Sequence, residues 1–389
     1  MKSSEWSVDW NDRYTFNFPT IIRFGNGVVD ELVPHFKREG KERPLLVTDP
    51  GLAGLTFFKV VVEQFKSDGL EVGLFTKLDS NPVKQNVIDG KEAYHQGKCD
   101  SIIGFGGGAS MDVARAIALA AHHDRDLFDF DDALGGDRHV TEQIPYFVTV
   151  PTTSGTGSEV GRSTVIAEDD THKKRVLFSP RIMASRVFAD PGLTVALPPH
   201  ITAATGMDAL CHNVEAYLSR GFNPMCEGIA LEGIRLVADA LETATNNPDI
   251  ESRSKMMMAA LMGATAFQKG LGIVHSLAHP LSTMFNAHHG LANAIMLSYG
   301  IEFNRVEVAE RIRDINEALG LPREADLVEW LREYNGKLGM PTSLSALDVN
   351  ESHVDDLAAL ALADVCHQCN PRTVELADFK SIYKKALTS

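Results

Sequence analysis

The sequence predicts two domains, an α/β domain followed by an all-helical domain. Three observations support this fold class. The chain has 389 residues, which is more than one average domain needs. In the first half, short apolar strands alternate with helical stretches, a pattern typical of a parallel sheet with helices on both faces. Beyond about residue 198, strand-like segments nearly disappear and helical stretches follow one another.

Four apolar segments in the first half have the length and composition of buried strands. They span residues 45–47, 72–75, 102–105 and 146–150, with helical stretches between them at 51–67, 83–96 and 110–122. We therefore predict an α/β domain over residues 1–190. Its end is marked by Asp190, Pro191 and Gly192, because Pro and Gly interrupt regular structure.

The second half shows the apolar period of packed helices. Helical stretches cover residues 201–219, 226–243, 253–268 and 306–319, and further ones follow to the end of the chain. We therefore predict an all-α domain over residues 191–389.

The composition excludes several classes of protein. A hydrophobic content of 44% and a charged content of 23% are those of an ordinary globular protein. The net charge of -15 argues against a nucleic-acid partner, which requires a basic surface. No apolar run approaches the roughly 20 residues that span a bilayer, so we expect no membrane association. The first 14 residues contain no apolar segment typical of a secretion signal.

The five cysteines are an odd number scattered over a long chain. They do not form a disulfide framework and fit a reducing cytoplasm, where we expect this protein to act. Cys366 and Cys369 form a CxxC pair, but without a second pair two helix-side thiols are a simpler interpretation than a zinc ribbon or redox site.

We also expect a homo-oligomer, a dimer or larger.

A glycine-rich turn follows the strand at 102–105. Gly106, Gly107 and Gly108 precede a helix that we expect to open at Ser110, with Asp112 in its first turn. Glycines let the backbone approach a bulky anion, and the amides at a helix N-terminus favour phosphate. Residues 104–109 also satisfy the GxGxxG/A pattern of dinucleotide sites. A tight strand–helix turn would show the same pattern, so this turn alone does not establish a cofactor.

Two further segments strengthen the prediction of a dinucleotide. The acidic residue usual downstream of the glycines is missing, since Asp124 falls in a polar loop. Asp49 lies instead at the end of the first strand, where a carboxylate can accept ribose hydroxyls and repel a 2′-phosphate, which favours NAD. Residues 151–159, PTTSGTGSE, supply glycines and hydroxyls suited to ribose, pyrophosphate and nicotinamide, with a flexible loop as the alternative. The hydroxyls are those of Thr152, Thr153, Thr156 and Ser158.

Histidines and one aspartate are concentrated in the helical half. The set comprises Asp208, His212, His275, His279, His288 and His289. Asp208 and His212 lie four residues apart, as do His275 and His279, and residues at that spacing share one helix face. Each residue alone is more simply explained as part of a core or surface. The set together predicts a metal site, and nitrogen and carboxylate ligands without thiolate suit Fe(II) or Zn(II).

Five segments together resemble the iron-containing (group III) alcohol dehydrogenases over nearly the whole chain. They are GGG at 106–108 with Asp112, PTTSGTGSE at 151–159, GMDALCHNVEAY at 206–217, GIVHSLAHP at 272–280 and HHGLANA at 288–294. The resemblance implies a Rossmann-like N-terminal domain, a helical C-terminal domain and a dehydroquinate synthase-like fold. It also implies an active site in the cleft between the domains.

The resemblance implies roles residue by residue. The metal ligands would be Asp208, His212, His275 and His289, with Fe(II) as the ion and Zn(II) as the alternative. His279 matches a nearby histidine that orients the substrate or relays a proton. The cofactor side would comprise Asp49, Asn81, Gly106, Gly107, Gly108, Ser110, Asp112, Thr152, Thr153, Thr156, Ser158 and Lys174.

Two positions depart from the family pattern. The serine usual after the glycines is Ala109, although Ser110 follows and can donate a hydrogen bond instead. The lysine usual in the next helix is Arg115, which keeps the charge. The detail of cofactor binding is therefore less well predicted than the metal site.

These features predict an NAD-dependent, metal-dependent alcohol dehydrogenase that interconverts a small primary alcohol and its aldehyde. Two alternatives remain. A sugar-phosphate cyclase of the dehydroquinate synthase type shares the fold, but it needs many basic groups around its substrate, and the metal-site region shows few. A non-catalytic protein that keeps the fold and binds a metal is the other.

Two short strings resemble the branch of the family that includes 4-hydroxybutyrate dehydrogenases. They are EVGR at 159–162 and AFQKGLG at 266–272. Arg162 and Lys269 are cations that could pair with a substrate carboxylate, and surface or cofactor-side charges are the alternative. Our specific hypothesis for the substrate is therefore an ω-hydroxy acid such as 4-hydroxybutyrate.

Overall fold

A computed structural model describes Phe18 and residues 20–141 and 143–388. The N-terminal stretch that was considered as a secretion signal lies outside these residues. The described chain forms two compact units. Among the described residues, the α/β unit comprises residues 20–153 and 157–196, and the helical unit comprises Phe18, residues 154–156 and residues 197 onwards.

Within the described part of the α/β unit, six strands form one parallel sheet. They are β1 Ile21–Phe24, β2 Pro44–Val47, β3 Gly73–Phe75, β4 Ser101–Gly106, β5 Tyr146–Pro151 and β8 Arg186–Ala189. Their order across the sheet is β1-β8-β5-β4-β2-β3. A separate antiparallel hairpin consists of β6 Ser163–Ala167 and β7 Lys174–Phe178. The four strands expected from apolar runs are present. The sequence analysis missed β1, β6, β7 and β8. Of these, β1 is a half-exposed edge strand without a continuous apolar run.

Helices cover both faces of this sheet. They are α1 Leu32–Arg38, α2 Pro50–Ala53, α3 Thr56–Ser67, α4 Lys84–Gln96 and α5 Gly108–Ala120. Because side chains alternate along a strand, Leu46 and Ile103 pack with α1 and α3, whereas Leu45 and Ile102 pack with α4 and α5. The helix expected at 51–67 is two helices, since the backbone at Leu55 is extended.

The helical unit contains nine helices among the described residues. They are α6 Pro199–Leu218, α7 Pro224–Asn246, α8 Ile250–Ala266, α9 Ile273–Phe285, α10 His289–Asn304, α11 Ala309–Ala318, α12 Leu327–Lys337, α13 Val354–Ala363 and α14 Leu376–Thr388. Helix α6 is buried on all sides from Thr202 to its end and packs against α7, α8 and α10. A helix buried all round is the core of its unit, so polar side chains on α6 need partners inside the protein.

In the described residues, no single helix is long and apolar enough to cross a membrane. The stretches Ile250–Lys269 and Ile273–Phe285 reach the necessary length and hydropathy only as a pair, and the chain bends by 110° between them.

Candidate metal centre and cofactor site

Three helices of the helical unit converge on four polar side chains. Asp208 and His212 come from α6, His275 comes from α9, and His289 is the first residue of α10. One potential ligand atom from each residue lies within 4.8 Å of those of the other three. The predicted ligand residues are therefore neighbours in space, although 81 positions separate the first from the last in the sequence.

The spacing of these atoms suits a metal ion. Asp208 Oδ1 is 3.9 Å from His212 Nε2 and 3.6 Å from His289 Nε2. Ligands bound at about 2.1 Å in a tetrahedral array lie about 3.4 Å apart, so the site needs only small adjustments to close on an ion. The His289 side chain is 29% exposed and that of Asp208 is 2% exposed. A small molecule can therefore approach the cluster from the side of His289.

The imidazole of His212 is held in one tautomer. Its Nδ1 lies 3.3 Å from the carbonyl oxygen of Gly155, which can only accept, so Nδ1 donates and Nε2 presents its lone pair to the cluster. Burial lowers the pKa of His212 to about 4, so the ring is neutral, as a metal ligand must be. Only glycine fits at position 155, because a Cβ there would lie 2.6 Å from the backbone oxygen of Thr205.

A buried carboxylate that the sequence analysis did not single out orients His275. Glu215 Oε2 lies 2.6 Å from His275 Nδ1, and Oε1 accepts a hydrogen bond from the backbone NH of Val274 at 2.7 Å. Burial alone would lower the pKa of His275, but the hydrogen bond to Glu215 and its charge raise it overall. Helical spacing could have identified Glu215 from the sequence, because it lies on the same face of α6 as Asp208 and His212.

A second missed residue is Asn293, which is fully buried one turn after His289 on α10. Its Nδ2 donates to Asp208 Oδ1 at 2.7 Å. The same nitrogen lies 3.3 Å from His275 Nε2 and 3.1 Å from His289 Nε2. Asn293 therefore contacts three of the four residues in the cluster and supports the carboxylate of Asp208.

His279 lies beside the four-residue group rather than in it. Its ring stacks on that of His289 with centroids 5.4 Å apart and meets that of His275 edge-on at 5.9 Å. Its Nδ1 is 2.7 Å from Asp364 Oδ2. The remaining histidine of the predicted set, His288, is the N-cap residue of α10 and is outside the group.

In the α/β unit, the strand order places the glycine turn at a reversal of direction. The chain runs from β2 outward to β3, returns past β2 to β4 and continues to β5. In open parallel sheets, ligands bind beyond the carboxyl ends of the strands at such a reversal. Asp49 follows the end of β2, and Gly106, Gly107 and Gly108 follow β4. These predicted cofactor residues thus flank the expected ligand crevice of this unit.

The first glycine of the turn has no room for a side chain. Gly106 has a φ of +148°, and a Cβ there would lie 2.6 Å from Ser110 Oγ. Helix α5 begins at Gly108, two residues earlier than predicted, with Gly107 as its N-cap. Asp49 caps α2 by accepting the Leu52 NH on Oδ1 at 2.9 Å, which leaves Oδ2 to accept a ribose hydroxyl. A bare helix N-terminus beside a carboxylate fits the diphosphate and ribose of a dinucleotide.

Two predicted cofactor residues, Asp112 and Ser158, form a hydrogen bond with each other inside the α/β unit. Asp112 Oδ1 accepts a hydrogen bond from Ser158 Oγ at 2.6 Å, and Oδ2 accepts from the backbone NH of Val165 at 3.2 Å. Arg115, which is fully buried, donates to Ser158 Oγ at 2.8 Å. These contacts hold α5, the PTTSGTGSE segment and β6 together. The charge of Arg115 is thus used within the unit.

The remaining cofactor-side residues lie in three places. Thr152 donates its NH to the Gly106 carbonyl at 3.0 Å, so Thr152 and Thr153 lie beside the glycine turn. The loop of Asn81 is held at the hairpin, because the Ala167 NH donates to the Pro82 carbonyl at 2.8 Å. Ala167 in turn pairs with Lys174 across the hairpin. Thr156 belongs to the helical unit.

Lys269 is neither a surface charge nor available to a substrate carboxylate. Its side chain is fully buried, and its Nζ lies 2.8 Å from Glu227 Oε1 and 2.8 Å from the Tyr217 carbonyl. Arg311 donates to the same Glu227 oxygen at 3.0 Å. The cation is therefore neutralised inside the helical unit. Arg162, by contrast, lies over the ring of Phe178 at 5.6 Å and has no carboxylate within ion-pair distance among the described residues.

Comparisons with known families agree with this arrangement. Residues 19–191 match the family described as iron-containing alcohol dehydrogenase, and residues 202–387 match the C-terminal part of the same family. The chain belongs to the iron-containing alcohol dehydrogenase family. The fold is the dehydroquinate synthase-like fold of that family. Membership supports a dehydrogenase over the sugar-phosphate cyclase and over the non-catalytic metal-binding protein.

Individual relatives cover almost the whole chain. The 4-hydroxybutyrate dehydrogenase of Cupriavidus necator is 36% identical over 95% of this chain and 98% of its own length. The NAD-dependent methanol dehydrogenase of Bacillus methanolicus is 33% identical over 96% of this chain and 99% of its own. The structure of an alcohol dehydrogenase from Oenococcus oeni is similar with a TM-score of 0.92, at 30% identity over 96% of this chain and 100% of that one. Like these iron-type dehydrogenases, the chain is an alcohol dehydrogenase.

Proposed function

We propose that this protein oxidises a small primary alcohol to its aldehyde, or catalyses the reverse, with NAD and a divalent ion. The ion, Fe(II) with Zn(II) as the alternative, would be held by Asp208, His212, His275 and His289. The observation that carries the proposal is the convergence of one carboxylate and three imidazoles within 4.8 Å in a chain of this family. The five free cysteines suit a reducing cytoplasm as its compartment.

The residues of the site prepare this chemistry. Gly155 and Glu215 keep the two imidazoles on α6 and α9 in the tautomer whose Nε2 faces the cluster. Bound there, the ion would polarise the alcohol oxygen and stabilise its developing negative charge, while NAD would accept the hydride. His279, partly exposed at the edge of the cluster, is placed to accept the proton that the alcohol loses.

NAD is the proposed cofactor because of Asp49. Its carboxylate lies at the expected ribose end of the crevice, where it would repel a 2′-phosphate. The relative from Bacillus methanolicus is an NAD-dependent methanol dehydrogenase, which supports the same choice. The test is the Asp49→Asn variant, since Asn caps a helix as well as Asp does while removing the charge. We expect the kcat/KM preference for NAD over NADP to fall by about tenfold or more, and a wild-type preference for NADP would contradict the assignment.

The metal assignment is tested by removing one ligand at a time. Asp208→Asn and His289→Ala should each lower bound iron and NADH formation by orders of magnitude, measured by elemental analysis and absorbance with a panel of short alcohols. His95→Ala, which removes an exposed histidine of α4, is the matched control and should keep both. Normal turnover by metal-free His289→Ala protein would refute the proposal.

For the substrate we propose an ω-hydroxy acid such as 4-hydroxybutyrate. The 4-hydroxybutyrate dehydrogenase relative supports this class, and Arg162 is the remaining candidate for its carboxylate. An ion pair shielded from solvent should favour 4-hydroxybutyrate over 1-butanol by roughly a hundredfold in kcat/KM. Arg162→Gln should remove that preference, and Arg235→Gln, at an exposed position of α7, should not. If 1-butanol is the better substrate of the wild type, the acid hypothesis fails and a plain alcohol dehydrogenase remains.

A further inference from the structure

His279 and Asp364 form a hydrogen-bonded pair at the edge of the metal cluster. His279 follows His275 by one turn of α9 and stacks on His289. Its Nδ1 lies 2.7 Å from Oδ2 of Asp364, which directly follows α13 and is 85 positions away in the sequence. The side chains of His279 and Asp364 are 25% and 18% exposed. The pair therefore lies where a small substrate can reach the histidine.

The carboxylate of Asp364 is itself held from two further directions. Its Oδ1 accepts a hydrogen bond from Ser276 Oγ at 2.7 Å and another from the backbone NH of Cys366 at 2.9 Å. Ser276 and His279 share one face of α9, so the carboxylate bridges that face and the turn after α13. Burial alone would raise the pKa of Asp364, but the charge of His279 and these hydrogen bonds lower it below its usual value. The acceptor thus stays ionised and fixed in place.

A carboxylate without a proton can only accept, so when the His279 ring is neutral its proton is on Nδ1 and its lone pair is on Nε2. With the opposite tautomer, the Nδ1 lone pair would face the negative charge of Asp364. An imidazole that must take up a proton from a hydroxyl needs this arrangement, because only the nitrogen with the lone pair can act as the base.

We infer that Asp364 is a positioning residue that holds His279 with Nε2 ready to take the proton of the alcohol. The inference rests on the proposed function. In the oxidation, the O–H bond of the alcohol breaks, an N–H bond forms at Nε2, and the resulting imidazolium is stabilised by the carboxylate of Asp364. The proton then passes from Nε2 to solvent water, and aldehyde reduction runs through the same proton transfer in reverse.

The test is Asp364→Asn in the metal-loaded protein. The amide keeps the size of the carboxylate but has no charge to hold the Nδ1 proton, so kcat should fall by about a hundredfold or more, as loss of acid–base catalysis does. The KM for the alcohol should change little, and the affinity of the metal-free protein for Co²⁺ should not change. Asp364→Glu should recover part of kcat. Asp355→Asn, which removes an exposed carboxylate of α13, is the control and should match the wild type.

Two measurements separate a positioning role from a structural one. If Asp364 acts through His279, adding Asp364→Asn to His279→Ala should cause no further loss of kcat. In the Zn²⁺-loaded protein, the Nδ1 proton should give a far-downfield proton NMR signal that both single variants lose. Unchanged kcat in Asp364→Asn, additive losses in the double variant, or a loss of Co²⁺ affinity as large as that of kcat would overturn the inference. If the wild type oxidised no alcohol, the proposed function would fail while the NMR signal still reported the pair.

Discussion

Nδ1 of His275 lies 2.6 Å from Oε2 of Glu215, and both side chains are buried. The same carboxylate accepts the backbone NH of Val274 at 2.7 Å, so it also satisfies an otherwise unpaired donor in the first turn of α9. A carboxylate behind a ligand histidine fixes the orientation of the ring and increases its strength as a donor. Glu215 therefore connects the formation of α9 with the geometry of the metal cluster.

Glu215→Gln should weaken metal binding without unfolding the protein. The amide oxygen can still accept the NH of Val274, but the charge facing His275 is lost. We expect a 10- to 100-fold loss of affinity, which is typical for such supporting carboxylates, measured by competition with a chelator for Zn²⁺. Glu232→Gln, which makes the same change at an exposed position of α7, is the control. Equal Zn²⁺ affinity in the two variants would show that Glu215 serves packing alone.

Asn293→Leu should release the carboxylate of Asp208. The substitution keeps a similar volume and removes the hydrogen bond to Asp208 Oδ1, so Zn²⁺ affinity should fall by about tenfold or more. Asn335→Leu is the matched control, because Asn335 is also buried and its Nδ2 donates to the Ala294 carbonyl at 2.8 Å. Both variants should lose roughly 1–3 kcal/mol of stability. If Asn335→Leu lost as much Zn²⁺ affinity as Asn293→Leu, the loss would be due to general destabilisation.

The buried carboxyl of Glu159 should make stability depend on pH. Burial raises its pKa to about 7 despite the nearby charge of Arg115, and its Oε1 has no hydrogen-bond partner among the described residues. Between the unfolded value of 4.5 and about 7, the folded protein holds more protons than the unfolded chain. The free energy of unfolding should therefore fall as pH rises through this window, by up to about 1.4 kcal/mol per pH unit.

Urea unfolding at pH 5 and pH 8 measures this contribution. In Glu159→Gln the decrease in the free energy of unfolding between pH 5 and pH 8 should be smaller than in the wild type. The gain in stability over the wild type should be largest at pH 8. Glu168→Gln, at a carboxylate whose pKa is lowered by its hydrogen bonds to Thr171 and Arg175, is the control, because its contribution changes only at lower pH and the variant should keep the wild-type decrease between pH 5 and pH 8. Identical pH dependence in wild type and Glu159→Gln would contradict the prediction.

Lys269→Met should alter stability and leave substrate choice unchanged. Burial lowers the pKa of Lys269 to about 8 even though Glu227 opposes the shift, so the cation is expensive to bury and depends on its partner. Its removal leaves Glu227 with Arg311 alone, and we expect a loss of about 1–3 kcal/mol in urea unfolding. The double variant Lys269→Met/Glu227→Gln should lose less stability than the sum of the losses in the two single variants. If Lys269→Met changed the ratio of kcat/KM for 4-hydroxybutyrate to that for 1-butanol, Lys269 would contribute to substrate recognition after all.

The sequence by itself determined the features that depend on local spacing. The alternation of apolar strands and helices predicted the fold class, since each pattern reports which faces of an element are buried. The spacing of Asp208 and His212 placed them on one face of a helix, and the glycines after β4 predicted a turn at a helix N-terminus. Motifs spread over the whole chain then indicated the iron-containing alcohol dehydrogenase family, which the comparisons confirmed.

Only the tertiary structure decided which distant residues support the site. Glu215 is 60 positions from His275 and Asp364 is 85 positions from His279, and Asp364 carries no local signal of its role. Lys269 had the charge expected of a carboxylate-binding residue, but the packing of α7 and α11 supplied it with Glu227 inside the protein. Local spacing specifies the face of a helix on which a side chain lies. Its partner depends on which helices pack against that face, and that is determined by the burial of the whole core.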